Sequence, residues 1–393
     1  MPEIAEVARV VHYLRKSLVG KTLSVVNAPE DVNVFGKVGT TGGEFQKAMT
    51  GKKVLDAGQQ GKYFWLIMSS PPHPVMHLGM TGWVYVRGEP TSHYRSREKD
   101  ESEEEWPPEY WKFTLETDSK PKVEAAFRDA RRFGRVRLVH CAAKDIKNTT
   151  PLKENGPDPV LDKDVLTEEW LEQKMKSKHV PVKALLLNQA NISGIGNWVG
   201  DEILYHAKLH PEQYSDTFTS EQIKQLHKSL MFVCQTAVDH LADSSKFPDD
   251  WLFKHRWGKG KKDAPTTLPN GDPIIHITVG GRTSCVVPSV QKKTGAVAAG
   301  VKIIDDEDAG SKNTKRPKAN VSKKRKTIKE EVSDDDEDDE TIEPKGEDPE
   351  AKAPKGRSKK ARPAPKVKAS KVKPEEAPRE GRRRSGRVSK RDN

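Results

Sequence analysis

Hydrophobic residues recur at intervals of three and four positions near the start of the chain. This helical spacing links Ile4, Val7, Ala8, Val11, Leu14 and Leu18. Gly20 follows directly after the pattern and is a natural C-terminal stop. The sequence therefore predicts one amphipathic helix at the N-terminus, with its apolar face against a core.

Short apolar runs of β-forming residues follow, separated by irregular loops that contain Gly and Pro. They predict eight strands, at residues 22–26, 52–55, 63–68, 75–78, 83–86, 110–115, 123–127 and 135–140. Strands of this number and length favour a β-sandwich or a barrel. The charged segment 91–109 is expected to form an exposed loop between two of them.

The pattern changes from strands to helices near Gly156-Pro157-Asp158-Pro159, where we place a domain boundary. Helices are predicted at 167–177, 181–189, 197–209 and 220–241. Helices joined by short turns form one common DNA-binding arrangement, although this generic motif is weak support on its own.

A β-hairpin is predicted near the end of the patterned part of the chain. Residues 274–279 and 283–287 would form its strands, and Arg282 would lie just past the Gly280-Gly281 turn. The predicted fold class is α+β. Its four segments are a β-sandwich domain at 1–150, a helix-two-turn-helix domain at 151–245, a hairpin at 246–300 and a charged tail at 301–393.

Composition changes this picture mainly for the tail. Residues 301–393 contain 28 Lys and Arg against 21 Asp and Glu, which accounts for +7 of the net charge of +11. The tail has no aromatic residue and is expected to be disordered, because it cannot bury enough apolar surface. Its basic clusters, at 323–326 and 382–384, are open to three interpretations: signals for import receptors of the nucleus, an arm that contacts DNA, or solvated disorder. The expected location is the nucleus.

The three cysteines argue against a disulfide framework or a cysteine zinc site. Cys141, Cys234 and Cys285 form no CxxC pair, and Cys285 with His255 and His276 lacks the spacing of a closed tetrahedral site. We therefore expect no metal and no cofactor, and a hairpin stabilised by its own apolar residues. No apolar run reaches the 18 residues of a membrane span, so a soluble protein in a reducing compartment is expected.

The first residues offer a nucleophile beside an acid. Removal of Met1 would leave Pro2 with a free secondary amine, a type of group whose reference pKa is about 7.7 to 8. Such an amine can attack the anomeric carbon of a sugar and form a cationic iminium, with Glu3 as the proton donor. The alternative is that Pro2 only starts the helix, where its missing N–H costs nothing.

Two segments between predicted strands are candidate DNA contacts. Lys62 precedes the strand at 63–68 and is placed to reach a phosphate, or it is a solvated lysine at a strand end. Residues 77–82 place His77 and Met80 in a glycine-rich turn, from which Met80 either projects or fills the core.

Two further segments have the composition of nucleic-acid contacts. Residues 128–135 place four arginines around Phe133, which is either a wedge that unstacks bases or a ring tucked inward. Gly194 and Gly196 precede a predicted helix, so their turn either presents backbone N–H groups to a phosphate or lets two helices pack closely.

Taken in order, these motifs resemble those of the formamidopyrimidine-DNA glycosylase family, and most closely its fungal and plant branch. They are MPE at the start, GKY before the third strand, HLGMTG, DARRFGR, SGIGNW and GGRT. The resemblance runs from Pro2 to about Lys293. Ala5 and Ala130 stand where many relatives have proline, and neither position carries the chemistry.

The resemblance implies a two-domain enzyme that binds damaged double-stranded DNA in the cleft between a β-sandwich and a helical domain. It implies Pro2 as the nucleophile and Glu3 as the acid that protonates the sugar ring oxygen, with Glu6 holding the first turn. Lys62 is grouped with these catalytic residues. In many relatives a cysteine-ligated zinc holds the hairpin, so this chain resembles a zincless member.

The resemblance also assigns the DNA contacts. Lys62, Asn197 and Arg282 would grip the phosphates that flank an everted nucleotide, and His77 would add a backbone contact. Residues that fill the void left by the flipped base are Met80, Arg131 and Phe133. These roles agree with the physical need to offset the cost of unstacking a base.

The activity implied is that of a monomeric, bifunctional glycosylase and AP lyase, which removes an oxidised base and cleaves the strand by β- and δ-elimination. Formamidopyrimidines and hydantoins are the expected lesions, and 8-oxoguanine is a further candidate. The first two are preferred because the loop that covers 8-oxoguanine tends to be short in the fungal and plant branch. The alternative is a catalytically silent DNA-binding or chromatin protein. Pro2 beside Glu3 favours the enzyme, since a binding module needs no such pair.

Overall fold

The predicted N-terminal helix is present and contributes to two separate cores. In the computed structural model, which describes residues 1–91, 105–257 and 266–296, helix α1 spans Ile4–Leu18. Ile4 and Ala5 pack into the helical part of the chain. The later apolar residues of α1 pack against β-sheets; they are Val7, Val10, Val11, Leu14 and Leu18. The first turn of α1 therefore lies where the two parts of the chain meet.

Two four-stranded antiparallel sheets contain all eight predicted strands. One sheet has the order β1 (Leu23–Asn27), β6 (Trp111–Thr117), β7 (Glu124–Arg128) and β5 (Trp83–Val86). The other has the order β2 (Val54–Gln60), β3 (Tyr63–Met68), β4 (His73–His77) and β8 (Arg135–Val139). Apolar residues of both sheets and α1 share one core, so the predicted β-sandwich is confirmed.

Strand β2 runs to Gln60, beyond the end predicted at residue 55. Gly58, Gln59 and Gln60 interrupt the apolar pattern, yet all three are buried. A Cβ at Gly58 would lie 2.6 Å from ring atoms of Trp65, so glycine lets this indole pack across the strand. The polar end of β2 leads directly to Lys62.

Helix α2 (Gly42–Met49) lies in a stretch to which the sequence pattern assigned no element. The Thr41 hydroxyl accepts the Glu44 N–H at 3.0 Å, and the Glu44 carboxylate accepts the Thr41 N–H at 3.0 Å. Phe45 and Met49 bury the apolar face in the sandwich core. Two helical turns carry too few apolar positions to give a clear periodic signal.

Four helices form the second part of the described chain. They are α3 (Glu168–Lys176), α4 (Val182–Leu187), α5 (Asn197–His206) and α6 (Ser220–Asp239). The predicted cap of α3 is present, because the Thr167 hydroxyl accepts the Trp170 N–H at 3.2 Å. Helix α5 ends before the predicted residue 209, since Lys208 adopts a left-handed conformation with φ of 57°.

The last described element is the predicted hairpin, formed by β9 (Ile275–Val279) and β10 (Arg282–Val286). Gly280 and Gly281 form its turn with φ of 60° and 78°, a conformation that glycine adopts without strain. Across the described ranges, no helix has the length and apolar character needed to cross a membrane.

The described residues all belong to one compact unit, Met1–Asp336. A second unit, Glu337–Asn393, lies wholly outside the described residues. The same is true of most of the predicted loop at 91–109, of residues 258–265 and of the predicted tail. The predicted domain limits therefore remain a prediction.

Candidate active site

The N-terminus of α1 meets the N-terminus of α5, and the side chain of Glu3 joins them. Its carboxylate accepts backbone N–H groups from Gly196 at 2.9 Å, Trp198 at 3.0 Å and Val199 at 3.1 Å. These donors would otherwise be unsatisfied at the start of a helix. The helix dipole also favours a negative charge at this end. Glu3 is therefore held in one orientation although it lies at a chain terminus.

The glycine-rich turn before α5 is shaped around this carboxyl group. A Cβ at Gly196 would lie 2.2 Å from Cδ of Glu3, and Gly194 has φ of 92°. The carbonyl of Gly194 accepts the Ile4 N–H at 3.1 Å. The sequence interpretation gave these N–H groups to a DNA phosphate or to helix packing. In the structure the Gly196 N–H donates to Glu3, and the Gly194 N–H donates to the side-chain oxygen of Gln189 at 2.9 Å. Both N–H groups are therefore used within the protein rather than presented to a phosphate.

The surroundings of Glu3 favour the protonated form of its carboxyl group. Burial raises the pKa of the Glu3 carboxyl, and Glu6 raises it further, whereas Lys62 and the backbone N–H groups lower it; the net direction is upward. Burial also lowers the pKa of the Lys62 ammonium, opposed by Glu3 and Glu6, while Arg282 lowers it further. A carboxyl group with a raised pKa can hold a proton until a reaction needs it. The structure thus gathers Glu3, Lys62 and Arg282 into one electrostatic cluster.

Glu6 fixes the first turn of the chain. Its carboxylate accepts the Glu3 N–H at 2.9 Å and the indole N–H of Trp198 at 3.1 Å. Pro2 is buried beside these groups, whereas Met1 is 37% exposed. Removal of Met1 would therefore leave a free amine at a buried residue, one position before Glu3. Trp198 was part of the SGIGNW motif, but the sequence gave no sign that it would bind Glu6.

Lys62 is held by a tight turn between β2 and β3. Gly61 has φ of 57°, and its N–H donates to the Asp158 carboxylate at 2.7 Å. A Cβ at Gly61 would lie 2.5 Å from Cβ of Ser193. Lys62 is only 8% exposed, so the alternative of a solvated strand-end lysine is wrong. Asp158 was overlooked as a contributor, because its motif was interpreted only as a domain boundary.

Asn197 and Arg282 lie at the starts of two different elements. Asn197 is the first residue of α5, and its side-chain oxygen is buried with no hydrogen-bond partner among the described residues. Arg282 is the first residue of β10 and is half-buried. Its charge reaches Lys62 strongly enough to lower the pKa of that ammonium. The two predicted phosphate contacts are thus presented by a helix start and a hairpin turn.

His77 is neutral at physiological pH. Burial, with the charges of Lys62 and Arg135, lowers its pKa to about 4. Its Nδ1 accepts the Gly79 N–H at 2.9 Å, so the proton of the neutral ring is assigned to Nε2. The His77 ring is 5.0 Å from that of Tyr63 on the paired strand. His77 can therefore donate one hydrogen bond from Nε2 without adding charge.

The three predicted void-filling residues lie on two loops that are joined to each other. The Thr81 hydroxyl donates to Asp129 at 2.7 Å and accepts the Arg131 N–H at 3.3 Å. The other Asp129 oxygen accepts the Gly134 N–H at 2.6 Å. Phe133 is 46% exposed, so the alternative of an inward ring is wrong. Met80, Arg131 and Phe133 are thereby carried by one connected unit.

This unit, the Thr81–Asp129 loop pair, is anchored by an adjacent ion pair. Arg132 has φ of 60°, and its guanidinium donates to both carboxylate oxygens of Asp31, at 2.9 and 3.0 Å. Lys112 approaches the same carboxylate at 3.2 Å. Burial would raise the pKa of Asp31, but the Arg132, Val34 and Lys112 contacts outweigh it and lower the pKa to about 2. The anchor stays charged over the whole physiological range.

The hairpin has no obvious metal ligands in the described ranges. These ranges contain no group of three His, Cys, Asp or Glu residues that could hold a metal ion. Burial raises the pKa of the Cys285 thiol to about 12, further supported by the nearby Asp201 carboxylate. A metal ligand would need the thiolate form. Cys285 therefore behaves as a small buried apolar residue here.

Comparison with known proteins places this geometry in context. A family model for the formamidopyrimidine-DNA glycosylase N-terminal domain matches residues 1–136, and one for the corresponding H2TH domain matches residues 156–249. A formamidopyrimidine-DNA glycosylase of Arabidopsis thaliana is 38% identical over 296 residues, which cover 75% of this chain and 72% of the relative. One from Lactococcus lactis subsp. lactis is 27% identical over 305 residues, which cover 75% of this chain and 100% of the relative.

Solved structures agree at the level of the fold. The complex of Lactococcus lactis Fpg with DNA that contains FAPY-dG superposes with a TM-score of 0.58 and 24% identity, over 74% of this chain and 100% of that one. A structure of MutM with DNA that contains carbocyclic 8-oxo-G gives the same values. Together, the two family matches and the plant relative establish that the chain belongs to the formamidopyrimidine-DNA glycosylase family.

Proposed function

We propose that this protein is a bifunctional DNA glycosylase of base excision repair, which removes an oxidised base and then cleaves the strand as an AP lyase. Membership of the family indicates the glycosylase, and the lyase step is the finer proposal. The observation that carries it is the buried Glu3 carboxyl, oriented by three N–H groups beside Pro2. These contacts also anchor the first residues to α5, but a silent DNA-binding protein has no need of a buried acid one residue from a potential amine nucleophile.

The proposed reaction begins after Met1 is removed. The lone pair of the Pro2 nitrogen attacks C1′ of the damaged nucleotide, and the C1′–N glycosidic bond breaks as the base departs with its electron pair and takes up the proton that the Pro2 nitrogen loses. Glu3 gives its proton to the sugar ring oxygen, which opens the ring and leaves an iminium between Pro2 and C1′. Glu3 ends as a carboxylate, which its three backbone donors stabilise.

The iminium then acts as an electron sink for strand cleavage. Loss of a proton from C2′ expels the 3′ phosphate by β-elimination, and loss of a proton from C4′ expels the 5′ phosphate by δ-elimination. Water hydrolyses the remaining iminium and frees Pro2. The buried Lys62 ammonium and Arg282 supply positive charge near the phosphates that leave.

The DNA contacts follow from the same geometry. Lys62, Asn197, Arg282 and the Nε2–H of His77 are proposed to bind phosphates on either side of the everted nucleotide. The void-filling residues Met80, Arg131 and Phe133 would occupy the space left in the duplex. Eversion costs a few kcal/mol, and these side chains would offset part of that cost. The cost is least for a damaged base, which favours lesions over normal bases.

The proposed substrates are formamidopyrimidine and hydantoin lesions, with 8-oxoguanine as a further candidate. The structural relatives were solved with DNA that contains FAPY-dG or an 8-oxo-G analogue, which supports lesions of this chemical class. We also propose that the protein acts as a monomer in the nucleus. Its basic tail would contact DNA or import receptors.

Covalent trapping with borohydride tests the lyase mechanism, because an iminium is reducible. The wild-type protein should be trapped on duplexes with an oxidised base or an abasic site. Pro2→Gly should weaken trapping sharply, and a tag that remains on Pro2 should abolish it. Glu30→Gln, which alters an exposed acid at another helix start, serves as the control and should trap normally. Undiminished trapping by the tagged protein would rule out Pro2 as the nucleophile.

A further inference from the structure

A further buried carboxylate lies one turn into α5, and it receives contacts from α4, from β10 and from the segment that follows residue 254. Asp201 is 1% exposed. Its Oδ1 forms an ion pair with the Lys183 ammonium. Its Oδ2 accepts a hydrogen bond from Nη2 of Arg256 at 2.7 Å and one from the Cys285 N–H at 3.1 Å. We call these four residues the Asp201 junction.

The Asp201 junction links the segments that present Asn197 and Arg282. The Lys183 ammonium, on α4, also donates to the carbonyl of Asn197 at 3.0 Å. Cys285 lies on β10, three residues after Arg282. One carboxylate is thus hydrogen-bonded to the strand that begins with Arg282, and its ion-pair partner is bonded to Asn197.

The Asp201 junction contains more positive charge than one carboxylate needs. Lys183 alone would neutralise Asp201, yet a second cation, Arg256, approaches the same carboxylate with a side chain only 7% exposed. Burying that guanidinium costs desolvation free energy, which only well-aligned contacts with the carboxylate can offset. Cys285 belongs to the hairpin, and the carbonyl of Arg256 lies 3.4 Å from Nε2 of His276 on β9. These contacts are suited to fixing the position of the hairpin relative to α5.

The apolar contacts of the hairpin could not do this alone. Ile277, Val279 and Val286 form one small cluster, and Cys285 and Val287 pack with Leu252 and Tyr205 in another, but apolar packing is non-directional. Hydrogen bonds to a buried carboxylate, in contrast, specify one register and one orientation. The sequence interpretation that the hairpin is stabilised by its own apolar residues is therefore incomplete.

We propose that Arg256 and Asp201 are positioning residues, which hold β10 so that Arg282 stays aimed at the centre formed by Glu3 and Lys62. This inference rests on the proposed function, in which Arg282 binds a phosphate beside the lesion. It predicts that removing Arg256 has the same consequence as removing Arg282, although Arg256 itself touches no DNA.

Substitution of Arg256 tests the proposal more cleanly than substitution of Asp201. Asp201→Asn would leave the buried Lys183 ammonium without its counter-charge and could prevent folding. Arg256→Gln removes the guanidinium contacts with Asp201 and with the Trp257 ring but leaves the Lys183–Asp201 ion pair, and Arg256→Lys keeps the charge with fewer donors. Lys254→Gln is the matched control, because it removes a surface ion pair with Asp249 two residues away.

The experiment measures binding of the full-length protein to a duplex with a tetrahydrofuran abasic analogue, together with single-turnover excision and thermal unfolding. We expect Arg256→Gln and Arg282→Ala each to weaken binding by about tenfold or more, and the double variant to be no worse than Arg282→Ala. Arg256→Lys should recover part of the binding, and Lys254→Gln should bind normally. Unfolding of Arg256→Gln should remain cooperative.

Independent, multiplicative losses in the double variant would overturn the proposal, as would normal binding by Arg256→Gln. Loss of cooperative unfolding in Arg256→Gln, with no recovery in Arg256→Lys, would show that Arg256 only stabilises the fold. Failure of the proposed function has a different signature: the wild-type protein would neither excise a lesion nor be trapped by borohydride. The binding measurements would still decide the role of Arg256 in that case.

Discussion

Replacing Glu3 by glutamine removes an acid and disturbs a helix start at the same time. In the wild-type protein, Oε2 accepts the N–H groups of Gly196 and Val199, and Oε1 accepts that of Trp198. The amide of glutamine has only one oxygen, so at least one of these buried donors would face an NH₂ group. An unsatisfied buried donor costs about 1–3 kcal/mol. We expect Glu3→Gln to lower the free energy of unfolding by an amount in this range.

The catalytic loss should be larger than the loss of stability suggests. A positioned general acid typically contributes about 10²–10⁴-fold to a rate, and glutamine has no proton to give. We expect single-turnover excision of an oxidised base to slow by about this factor. Cleavage of a preformed abasic site should slow less, because no glycosidic bond remains to be broken.

The assay pairs urea unfolding with single-turnover kinetics on both substrates. Glu30→Gln is the matched control, because the Glu30 carboxylate accepts the N–H groups of Gly42 at 3.1 Å and Gly43 at 2.9 Å at the start of α2. It should change stability slightly and leave excision unchanged. Equal slowing on both substrates would refute the assignment of Glu3 as the acid for base departure, and so would unchanged excision by Glu3→Gln.

Four further predictions concern other parts of the protein. Thr81→Val removes the hydroxyl that joins the two loops proposed to fill the void, and should reduce kcat/KM for lesion duplexes by about tenfold; an unchanged kcat/KM would contradict this. The pKa of His77 is lowered to about 4, so between pH 6.5 and 4 the unfolded chain binds a proton that the folded chain does not. The free energy of unfolding should therefore fall as pH falls through this window, and less so in His77→Gln. Activity should persist in strong chelator, with no stoichiometric zinc by elemental analysis. Loss of activity that zinc restores would contradict the prediction that the hairpin holds no metal. Deleting residues 301–393 should preserve turnover on a short duplex but flatten the salt dependence of non-specific binding, by about 0.9 in log–log slope per lost phosphate contact.

Local sequence patterns predicted most of the fold but few of the contacts that make the site. The periodicity of α1 and the β-forming runs were sufficient to place that helix and eight strands. Helix α2 was missed because its apolar face consists mainly of Phe45 and Met49. The resemblance to a known family supplied the site residues, but it could not supply Asp158, which binds the turn before Lys62 from far along the chain. Contacts of this kind leave no periodic signal.

Whether a side chain is buried or exposed was also beyond the sequence at the decisive positions. Lys62 and Phe133 each had two open interpretations, and the structure excluded the solvated lysine and the inward ring, which are the ordinary expectations for these residue types. The lysine is buried because Glu3 and Glu6 supply opposing charge, whereas the phenylalanine is exposed because its loop is fixed by Asp129. In each case the deciding partner is distant in sequence.

The proposed role of Pro2 as nucleophile raises a physical difficulty, because terminal residues are mobile unless other contacts hold them. Here the first residues are held almost entirely by the helical part: Ile4 donates to Gly194, Glu3 binds the start of α5, and Glu6 binds Trp198. Ile4 and Ala5 also belong to the helical core rather than the sandwich core. The sandwich therefore carries Pro2, but the helical part orders it. The order of the proposed site therefore depends on the helical part, although Pro2 precedes a helix that packs mainly on the sandwich.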